Sequence, residues 1–398
     1  MSAELYDHRD RCAIVGIGAT EFSKDSGRST LTLAVEASLE AIGDAGLVPI
    51  DIDGIVRCDM DDVRTSDLIH TLGLDNISYL GENGPGGVAP AAMVGQAVAA
   101  ILSGQATAVL VYRSLNGRSG RRYGAASQAS DAPRVGGNGT YDEYWLPYGL
   151  QTPGQCFALM ARRHMIDFGT TPDQLGRIPI ACRNRANANP AAQMHGRPMG
   201  LDDYLGARMI SDPLRLFDFC LETDGANALV VTTAERARDL PRPPALIRAV
   251  AQASLPDVQP GNFYSVLMRE SLTTLPAAPV GRLLFERAGL GPDDIDVAQL
   301  YDCFSITVLL QLEDYGFCAK GEGGSFVADG SIELDGSIPI NTAGGHLSEG
   351  YIHGMNHIVE GVRQIRGTST NQVPGAETCL VTSTALPPGS ALILRGDG

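Results

Sequence analysis

The most reactive side chains of the sequence crowd into one stretch, Asn341–Gly354. It holds four glycines, two histidines (His346 and His353), a tyrosine (Tyr351) and an acid (Glu349). Glycines let a backbone approach a ligand closely, and the first turn of a helix presents unpaired N–H groups to an anion. The alternative is a tight turn with polar side chains in solvent. The density of reactive groups favours a functional site.

A strand and a helix must position this stretch. The run Ser337–Ile340 is strand-like, and the apolar residues of Met355–Ile365 recur at helical spacing. Further predicted strands are Cys12–Ile17, Ile52–Cys58, Ala106–Tyr112, Gly225–Thr232, Ala245–Ala251 and Val297–Asp302. Further predicted helices are Thr30–Gly46, Ala91–Leu102, Gly154–Phe168, Thr171–Ala188, Ser265–Leu272 and Val280–Ala288. This alternation predicts an α/β protein with parallel strands and right-handed crossovers.

A short pattern occurs twice in the chain. Ala45–Leu47 and Asp51–Asp53 recur as Ala288–Leu290 and Asp294–Asp296, and both pieces shift by 243 positions (288 − 45 and 294 − 51). Order and spacing together indicate an internal duplication. We therefore predict an N-terminal half over residues 1–240, with an inserted loop domain at about 113–213, and a C-terminal half over residues 241–398. The proline-rich Pro241–Pro244 is the predicted joint.

Composition limits the classes of function. The chain has 398 residues, of which 44% are hydrophobic and 19% charged, as expected of a globular enzyme. Its net charge of −16 argues against nucleic acid or an anionic membrane as the main partner. The charged N-terminus lacks a secretory signal pattern, and no apolar run reaches the ~20 residues of a membrane span. Eight scattered cysteines without a Cys-x-x-Cys pair predict free thiols in a cytoplasmic protein and no metal site.

Three motifs resemble the thiolase superfamily. Phe219–Ala226 is similar to the family's stretch that ends in Asp-Gly-Ala, and Tyr301–Ser305 occupies the place of Asn-Glu-x-Phe or His-Asp-x-Phe. Asn341–Gly354 resembles the segment Gly-Gly…Gly-His-Pro-x-Gly. The resemblance implies a five-layer α-β-α-β-α sandwich of two duplicated βαβ halves. It also implies a homodimer, which we predict to pair through an edge strand near Ala106–Tyr112.

The departures from the thiolase motifs change the expected chemistry. Gly87 stands where thiolases carry the nucleophilic cysteine, and Tyr351 and Tyr301 replace the histidine and the asparagine or histidine of the two motifs. Claisen chemistry by the usual route is then excluded. Two tyrosines at these positions resemble the steroid side-chain aldolases of the lipid-transfer-protein and sterol-carrier-protein-x branch.

The resemblance to those aldolases implies a coenzyme A thioester as substrate and no prosthetic group. They cleave a β-hydroxyacyl thioester, such as a 17-hydroxy steroid side chain, by retro-aldol reaction to a ketone and propionyl-CoA. They act with a small OB-fold and zinc-ribbon partner protein. Retro-aldol cleavage needs a base for the hydroxyl proton and donors for the enolate, and neither requires a thiol.

The candidate site residues follow from these roles. We predict Tyr351 as the base and Tyr301 as a hydrogen-bond donor, with His346 and His353 lowering the tyrosine pKa through positive charge or hydrogen bonds. Asp302 orients a neighbour or caps a helix. The predicted substrate-binding groups, chiefly backbone N–H donors for the enolate, are Gly344, Gly345, Gly86, Gly87 and Asn341.

Other residues rank lower. Glu349 is a supporting residue that must be protonated beside an enolate, and His357 is structural. Six arginines of the insertion are candidates for the coenzyme A phosphates, although most are expected to be ordinary surface residues: Arg121, Arg122, Arg162, Arg163, Arg183 and Arg185. Two alternatives stay open. One is a divergent acyl-CoA thiolase or acyltransferase that uses Cys58 or Cys379, and the other is a non-catalytic thiolase-like scaffold.

Overall fold

The computed structural model describes residues 7–120, 122, 145–256, 258 and 267–397. The strands are β1 (Cys12–Ala19), β2 (Gly54–Cys58), β3 (Tyr79–Asn83), β4 (Ala108–Asn116), β5 (Met209–Ser211), β6 (Leu214–Arg215), β7 (Asp224–Thr233), β8 (Ala245–Ala253), β9 (Val297–Gln299), β10 (Thr378–Ser383) and β11 (Gly389–Arg395). The helices are α1 (Thr30–Asp44), α2 (Thr65–Leu72), α3 (Ala89–Leu102), α4 (Pro153–Phe168), α5 (Pro172–Ala188), α6 (Leu201–Gly206), α7 (Ala234–Ala237), α8 (Ala277–Ala288), α9 (Ser305–Asp314), α10 (Gly323–Ala328), α11 (Gly345–Ser348) and α12 (Met355–Arg366).

Nine of these strands form one mixed sheet in the order β3-β2-β4-β7-β1-β8-β11-β10-β9, and β5 pairs with β6 in a separate hairpin. Only two residue pairs join β1 to β8, Ala13 with Leu246 and Ile14 with Ala245. On each side of this joint the pairing repeats. In the first half, β2 pairs in parallel with both β3 and β4. In the second half, β9 pairs in parallel with β10 on one side and, through a single bridge, with Ile340 on the other. The next strand toward the joint is antiparallel in both halves: β7 pairs with β4, and β11 pairs with β10.

The helices cover both faces of each half of the sheet. α3 and α12 lie between the halves, because α3 contacts β2, β7, β8 and β11 while α12 contacts β1, β7, β9 and β10. α1 covers the outer face of β1, β4 and β7, and α8 covers the outer face of β8 and β11. The result is the predicted five-layer sandwich. The alanine-rich sequence of α3 suits the central layer, where helix and sheet approach closely on two sides.

The structure also repeats the sequence shift of 243 positions. A 3₁₀ turn occupies Pro49–Asp51 and another occupies Pro292–Asp294, while β2 begins at Gly54 and β9 at Val297 (292 − 49 and 297 − 54). Both turns have a proline in their first positions and an aspartate at the end. The predicted duplication is therefore confirmed. The domain boundaries derived from it stay a prediction.

The insertion packs on the second half of the sheet. Its helices α4 and α5 share a hydrophobic core with α8 and α9, and buried Phe157 stacks on Phe304 with ring centroids 4.5 Å apart. α5 also contacts α10 and α11. The insertion consequently forms one wall above the Asn341–Gly354 stretch.

Four sequence-based expectations need correction. β4 lies between β2 and β7, so it cannot be the edge strand of a dimer, and the outer strand of the first half is β3. β4 runs from Ala108 to Asn116, beyond the predicted end at Tyr112, while the insertion bounds of about 113–213 stay a prediction. The run Ser337–Ile340 forms only the single bridge at Ile340. The predicted helix Ser265–Leu272 falls partly outside the described residues, and its described part, 267–272, contains no α-helix.

Two further observations concern the chain's setting. In the described ranges, no helix combines the length and the apolar composition that crossing a bilayer requires. All eight cysteines fall in the described ranges and are free thiols.

The contact between β1 and α1 generates a stability prediction. A Cβ atom on Gly16 would lie 2.0 Å from the carbonyl oxygen of Ala41, which is helix backbone and cannot move aside. We expect Gly16→Ala to lower the free energy of unfolding by about 3 kcal/mol, as overpacked cores do. Gly43→Ala on the same helix is the control, since a Cβ there meets open space. It should raise stability by about 0.5 kcal/mol. Urea denaturation measures both, and equal effects would contradict the argument.

Candidate active site

Tyr301 sits in the turn that leaves β9 and enters α9. Its backbone N–H donates to the Thr382 hydroxyl (2.8 Å), and its carbonyl accepts from the Gln311 side chain (2.8 Å). Both partners are buried residues of the second half. Strand β9 ends at Gln299, so this turn is fixed by side-chain hydrogen bonds rather than by strand pairing.

Asn341 ties the same turn to the glycine-rich stretch. The Leu300 N–H donates to the Asn341 side-chain oxygen (2.7 Å), and the Asn341 amide donates back to the Leu300 carbonyl (3.0 Å). Asn341 is fully buried and has φ of 47°, a left-handed conformation that few residues other than glycine adopt. Its amide is occupied by the backbone, which does not fit the predicted contact with substrate.

The Asp302 carboxylate gathers three groups from the stretch and from α12. It accepts the backbone N–H of His346 (2.9 Å) and of Leu347 (3.2 Å), and the His357 ring nitrogen Nε2 lies 2.9 Å from it. Nδ1 of His346 is 3.1 Å away. Burial alone would raise the pKa of Asp302, but His346 and the hydrogen bonds outweigh it and lower that pKa. The predicted orienting role of Asp302 thus has a geometric basis.

Asp302, His346 and His357 each bring one potential metal-ligand atom to within 4.8 Å of the others. Both carboxylate oxygens already accept backbone N–H groups. We therefore describe the trio as a hydrogen-bond network, and the prediction that the chain has no metal site stays a prediction.

The two tyrosines meet. Their hydroxyl oxygens are 2.7 Å apart, and the backbone N–H of Tyr351 donates to the Thr223 hydroxyl (2.9 Å), which fixes the loop against the first half. A Cβ on Gly87 would lie 1.8 Å from the Tyr301 hydroxyl. The phenol therefore fills the space that the side chain of a thiolase nucleophile would need. Sequence reasoning placed both tyrosines in the site and did not foresee this contact.

The four glycines predicted to bind substrate have different surroundings. Gly86 donates its N–H to Asp59 (3.3 Å), and Gly344 donates its N–H to the Asn341 carbonyl (2.9 Å). A Cβ on Gly345 would lie 2.2 Å from the Asp302 carboxylate, so that glycine makes room for the network. Gly87 alone of the four lies against a tyrosine hydroxyl.

The histidines surround the tyrosine pair but carry no charge there. The ring of His346 lies edge-on to both tyrosines, with centroids 4.8 and 4.9 Å away, and the ring of His353 lies 5.0 Å from that of Tyr351. Burial first, then His357, lowers the pKa of His346 well below its usual value, and burial followed by the Arg113 cation does the same for His353. Both rings are neutral at pH 7. Of the two predicted ways in which these rings lower a tyrosine pKa, positive charge is therefore not supported, and a hydrogen bond stays a prediction.

The tyrosine hydroxyls are also neutral. Burial raises the pKa of Tyr301 and of Tyr351 well above the usual value of about 10. Burial acts on both hydroxyls alike, and the order of base and donor between them stays a prediction. Glu349 is buried nearby, and burial raises its pKa to about 8, so it is mainly protonated at neutral pH.

A cavity of about 660 Å³ opens onto Tyr351. Phe217, Phe219, Phe304 and Leu347 supply apolar wall, and Thr223 and Cys220 lie beside the tyrosine. Among the described residues, five cationic side chains and one carboxylate, that of Glu222, line the cavity. The cations are Lys24, Arg118, Arg122, Arg183 and Arg197. A chain with net charge −16 therefore presents a positive, partly aromatic cavity at this point.

Of the arginines proposed for coenzyme A, only Arg122 and Arg183 line this cavity. Arg162 and Arg163 form exposed ion pairs with Asp212 and Asp167. Arg185 is buried beside Ile332 and Glu333, and Arg121 lies outside the described residues. Sequence reasoning missed Lys24, Arg118 and Arg197, which nothing local distinguishes from surface cations.

The cysteines of the thiolase alternative are poor nucleophiles. Burial raises the pKa of Cys58 to about 12 and that of Cys379 well above its usual value. Both are therefore thiols rather than thiolates at neutral pH, and only a thiolate attacks efficiently. Cys379 lies in β10, packed against Gly361 of the central helix α12.

A five-layer duplicated fold with paired tyrosines in the two catalytic motifs defines a thiolase-fold protein with an altered active site. The family described as "Thiolase C-terminal domain-like" matches residues 262–393. A steroid side-chain-cleaving aldolase from Thermomonospora curvata is 46% identical over 386 residues, which cover 97% of this chain and 98% of that protein. A 17-hydroxy-3-oxo-4-pregnene-20-carboxyl-CoA lyase from Mycobacterium tuberculosis is 46% identical over 385 residues, 96% of this chain and 99% of that protein.

A solved structure agrees with these relatives. The Ltp2-ChsH2(DUF35) aldolase contains a chain that superposes with a TM-score of 0.91 at 45% identity, and 98% of each chain is covered. The chain belongs to the aldolase branch of the thiolase superfamily that these proteins represent.

The clash at Gly87 predicts the outcome of restoring the thiol. We expect Gly87→Cys to show no thiolysis of acetoacetyl-CoA, because its Cβ displaces the Tyr301 ring and because no histidine base stands at Tyr351. The same variant, and Gly87→Ala, should lose the native activity while remaining folded by circular dichroism. Thiolysis by the single mutant, or full native activity of Gly87→Ala, would contradict the prediction.

Proposed function

We propose that the protein is a carbon–carbon lyase that cleaves a β-hydroxyacyl-CoA by retro-aldol reaction. The acyl part we propose is a 17-hydroxy steroid side chain, which gives a steroid ketone and propionyl-CoA. The names of the two relatives at 46% identity support this substrate class. The observation that carries the proposal is the pair of tyrosine hydroxyls 2.7 Å apart, in the space left by a missing thiol.

The cavity suits the two ends of such a substrate. Its apolar aromatic wall offers surface to a steroid ring system, and its five cations offer partners for the phosphates of coenzyme A. Arg183 is held by Ser348 and by the Arg197 carbonyl and lies 5.4 Å from the centre of the Phe217 ring. A positive cavity on an acidic protein also draws an anionic substrate toward the site.

The chemistry needs two proton movements and no prosthetic group. As the bond between the carbinol carbon and the α-carbon breaks, its electron pair becomes the thioester enolate and the alcohol becomes a ketone. The alcohol loses one proton and the α-carbon gains one, so the reaction has no net proton change. The thioester stabilises the carbanion, and the coenzyme A that supplies it arrives with the substrate.

Two hydrogen-bonded hydroxyls can carry out both movements without a free phenolate. One tyrosine accepts the alcohol proton while its own proton moves along the 2.7 Å bond to the second tyrosine, whose proton passes to the α-carbon. This relay fits hydroxyls whose pKa is raised by burial. It replaces the earlier assignment of Tyr351 as an ionised base, and both tyrosines remain catalytic residues.

A partner protein and self-association belong to the proposal. The solved relative is a complex with a DUF35 chain, which supports a small OB-fold and zinc-ribbon partner for this protein. We propose a homodimer that pairs through the outer strand β3 rather than through β4, because β3 carries the exposed Leu80 at a sheet edge. A reducing, cytoplasmic setting fits eight free thiols.

The tyrosine relay predicts matched losses of activity. Tyr301→Phe and Tyr351→Phe should each lower kcat by about a hundred- to ten-thousand-fold, with KM changed little because the rings remain. The wild-type kcat should stay nearly flat between about pH 6 and 7, since a raised tyrosine pKa keeps both hydroxyls protonated there and the Glu349 pKa of about 8 lies above that range. The assay follows ketone and propionyl-CoA from the steroid β-hydroxyacyl-CoA, with and without a DUF35 partner.

Tyr315→Phe is the control for the loss of a buried tyrosine hydroxyl, because the Tyr315 hydroxyl contacts Thr384 and connects through Gln311 to the Tyr301 backbone rather than to either hydroxyl of the pair. It should retain activity. A kcat that rises tenfold per pH unit would instead indicate a phenolate base. Near-normal turnover of both variants would exclude the tyrosine mechanism.

The cavity cations generate a binding prediction. Arg197 is exposed and lines the cavity, so Arg197→Gln should raise KM for the acyl-CoA by about tenfold and leave kcat nearly unchanged. Arg162→Gln removes an equally exposed arginine that pairs with Asp212 outside the cavity lining, and it should leave KM unchanged. Steady-state kinetics at two salt concentrations measures both, and equal KM values would remove Arg197 from the binding site.

A further inference from the structure

Arg113 is a charged residue in the middle of the sheet. It lies on β4, whose residues are buried almost throughout, and its own side chain has no exposed surface. The Asp61 carboxylate, equally buried, accepts from its guanidinium at 2.6 Å. A buried ion pair contributes little net stability compared with apolar residues, so its presence beside the site calls for a second reason.

The second contact of Arg113 reaches the catalytic loop. Its Nη2 lies 2.9 Å from Nδ1 of His353, a residue of the other half of the chain. A guanidinium only donates hydrogen bonds, so Nδ1 must accept. A neutral imidazole then carries its one proton on Nε2. The contact therefore selects the Nε2–H tautomer of His353 and opposes a second proton on the ring.

The backbone of His353 shows that this placement is imposed. Its φ is 51°, a strained left-handed conformation that non-glycine residues keep only where the surroundings hold them. The ring stands between Tyr351, 5.0 Å away, and the Gly86 turn, where a Cβ on Gly86 would meet it at 3.5 Å. His353 thus links the first-half turn, the second-half loop and the tyrosine pair.

We infer that Arg113 is a positioning residue that holds His353 as a neutral Nε2–H imidazole beside Tyr351. The inference rests on the proposed retro-aldol function. A neighbouring cation strengthens the N–H dipole without placing a second ionisable proton in the site.

The other ionisable groups at this corner do not compete. Tyr351 and His346 are neutral, and Cys58 on β2 is a thiol. Oδ1 of Asp61 accepts from Arg113 and from the Ser114 N–H, and the Asp59 carboxylate accepts the Gly86 N–H. Burial raises the pKa of Asp61, so Asp61, Arg113 and His353 are the groups whose states the experiment must separate.

A measurement without substrate tests the tautomer. The full-length chain labelled with ¹⁵N-histidine should show His353 as an Nε2–H imidazole with an unprotonated Nδ1 from about pH 5.5 to 8. Burial and the Arg113 cation lower the pKa of His353 well below the usual 6.5, so the ring stays neutral in this range. The signal is assigned by its loss in His353→Gln. An Nδ1–H tautomer or an imidazolium in this range would overturn the inference, whatever reaction the protein catalyses.

Substitution tests the link to activity. Arg113→Gln and Arg113→Lys should lower kcat by about ten- to a hundredfold with little change in KM. Without the guanidinium contact the His353 pKa rises toward 6.5, so a new acidic limb should appear in the kcat–pH profile of Arg113→Gln. Arg113→Lys keeps the positive charge but loses the planar guanidinium that donates to both Asp61 and His353. The fall of its kcat at low pH should therefore be smaller than that of Arg113→Gln.

Arg185→Gln is the matched control, since Arg185 is a buried arginine that bonds to the Ile332 carbonyl. It should lower stability without adding an acidic limb. If the Arg113 variants lose activity but keep the wild-type pH profile and tautomer, Arg113 is only structural and the inference fails. If the tautomer is as expected but the wild type cleaves no β-hydroxyacyl-CoA, the proposed function fails instead.

Discussion

The site depends on the hydrogen bonds that the buried Asp302 carboxylate accepts. A fully buried carboxylate costs several kcal/mol unless its oxygens are hydrogen-bonded, and here the backbone of His346 and Leu347 and the ring of His357 provide the donors. These donors come from the glycine-rich stretch and from α12, whereas Asp302 itself follows β9. Gly345 is required because any Cβ would enter the carboxylate. One buried charge thereby aligns the turn that carries Tyr301 with the loop that carries Tyr351.

The duplicated fold explains why residues from both halves meet there. The central helices α3 and α12 start side by side between the halves of the sheet, and the turns that precede them, Gly86–Gly87 and Gly350–Gly354, face each other. Each half therefore contributes one wall of the site, and a contact across the joint must hold the walls in register. Arg113 bonded to His353 is such a contact, and Tyr351 bonded to Thr223 is another.

Local patterns in the sequence predicted most elements, because helix periodicity and turn residues act over a few positions. The repeated Ala-Gly-Leu and Asp-Ile-Asp pieces even predicted the duplication. Strand order could not be predicted in this way: the apolar run at Ala106–Tyr112 fits an edge or an interior strand equally well, and only non-local pairing with β2 and β7 decides. The charge states of His346 and His353 also depend on burial, which a local motif does not encode. Arg113 carried no local signal either, because the predicted strand ended at Tyr112 and only the structure, in which β4 continues to Asn116, places it inside the sheet.

The geometry at Gly87 shows why this site cannot serve both chemistries. A thiolase needs a side chain at that position, and the relay needs a phenol in the same volume, since the Tyr301 oxygen lies 1.8 Å from where a Cβ would stand. A covalent mechanism also needs a base that ionises a thiol, whereas the apolar burial that keeps both tyrosines protonated would keep a thiol protonated too. Sterics and burial therefore both oppose an acyl-enzyme formed at position 87. What remains is a hydrogen-bonded pair that can move a proton from an alcohol to a carbon without forming a charge of its own.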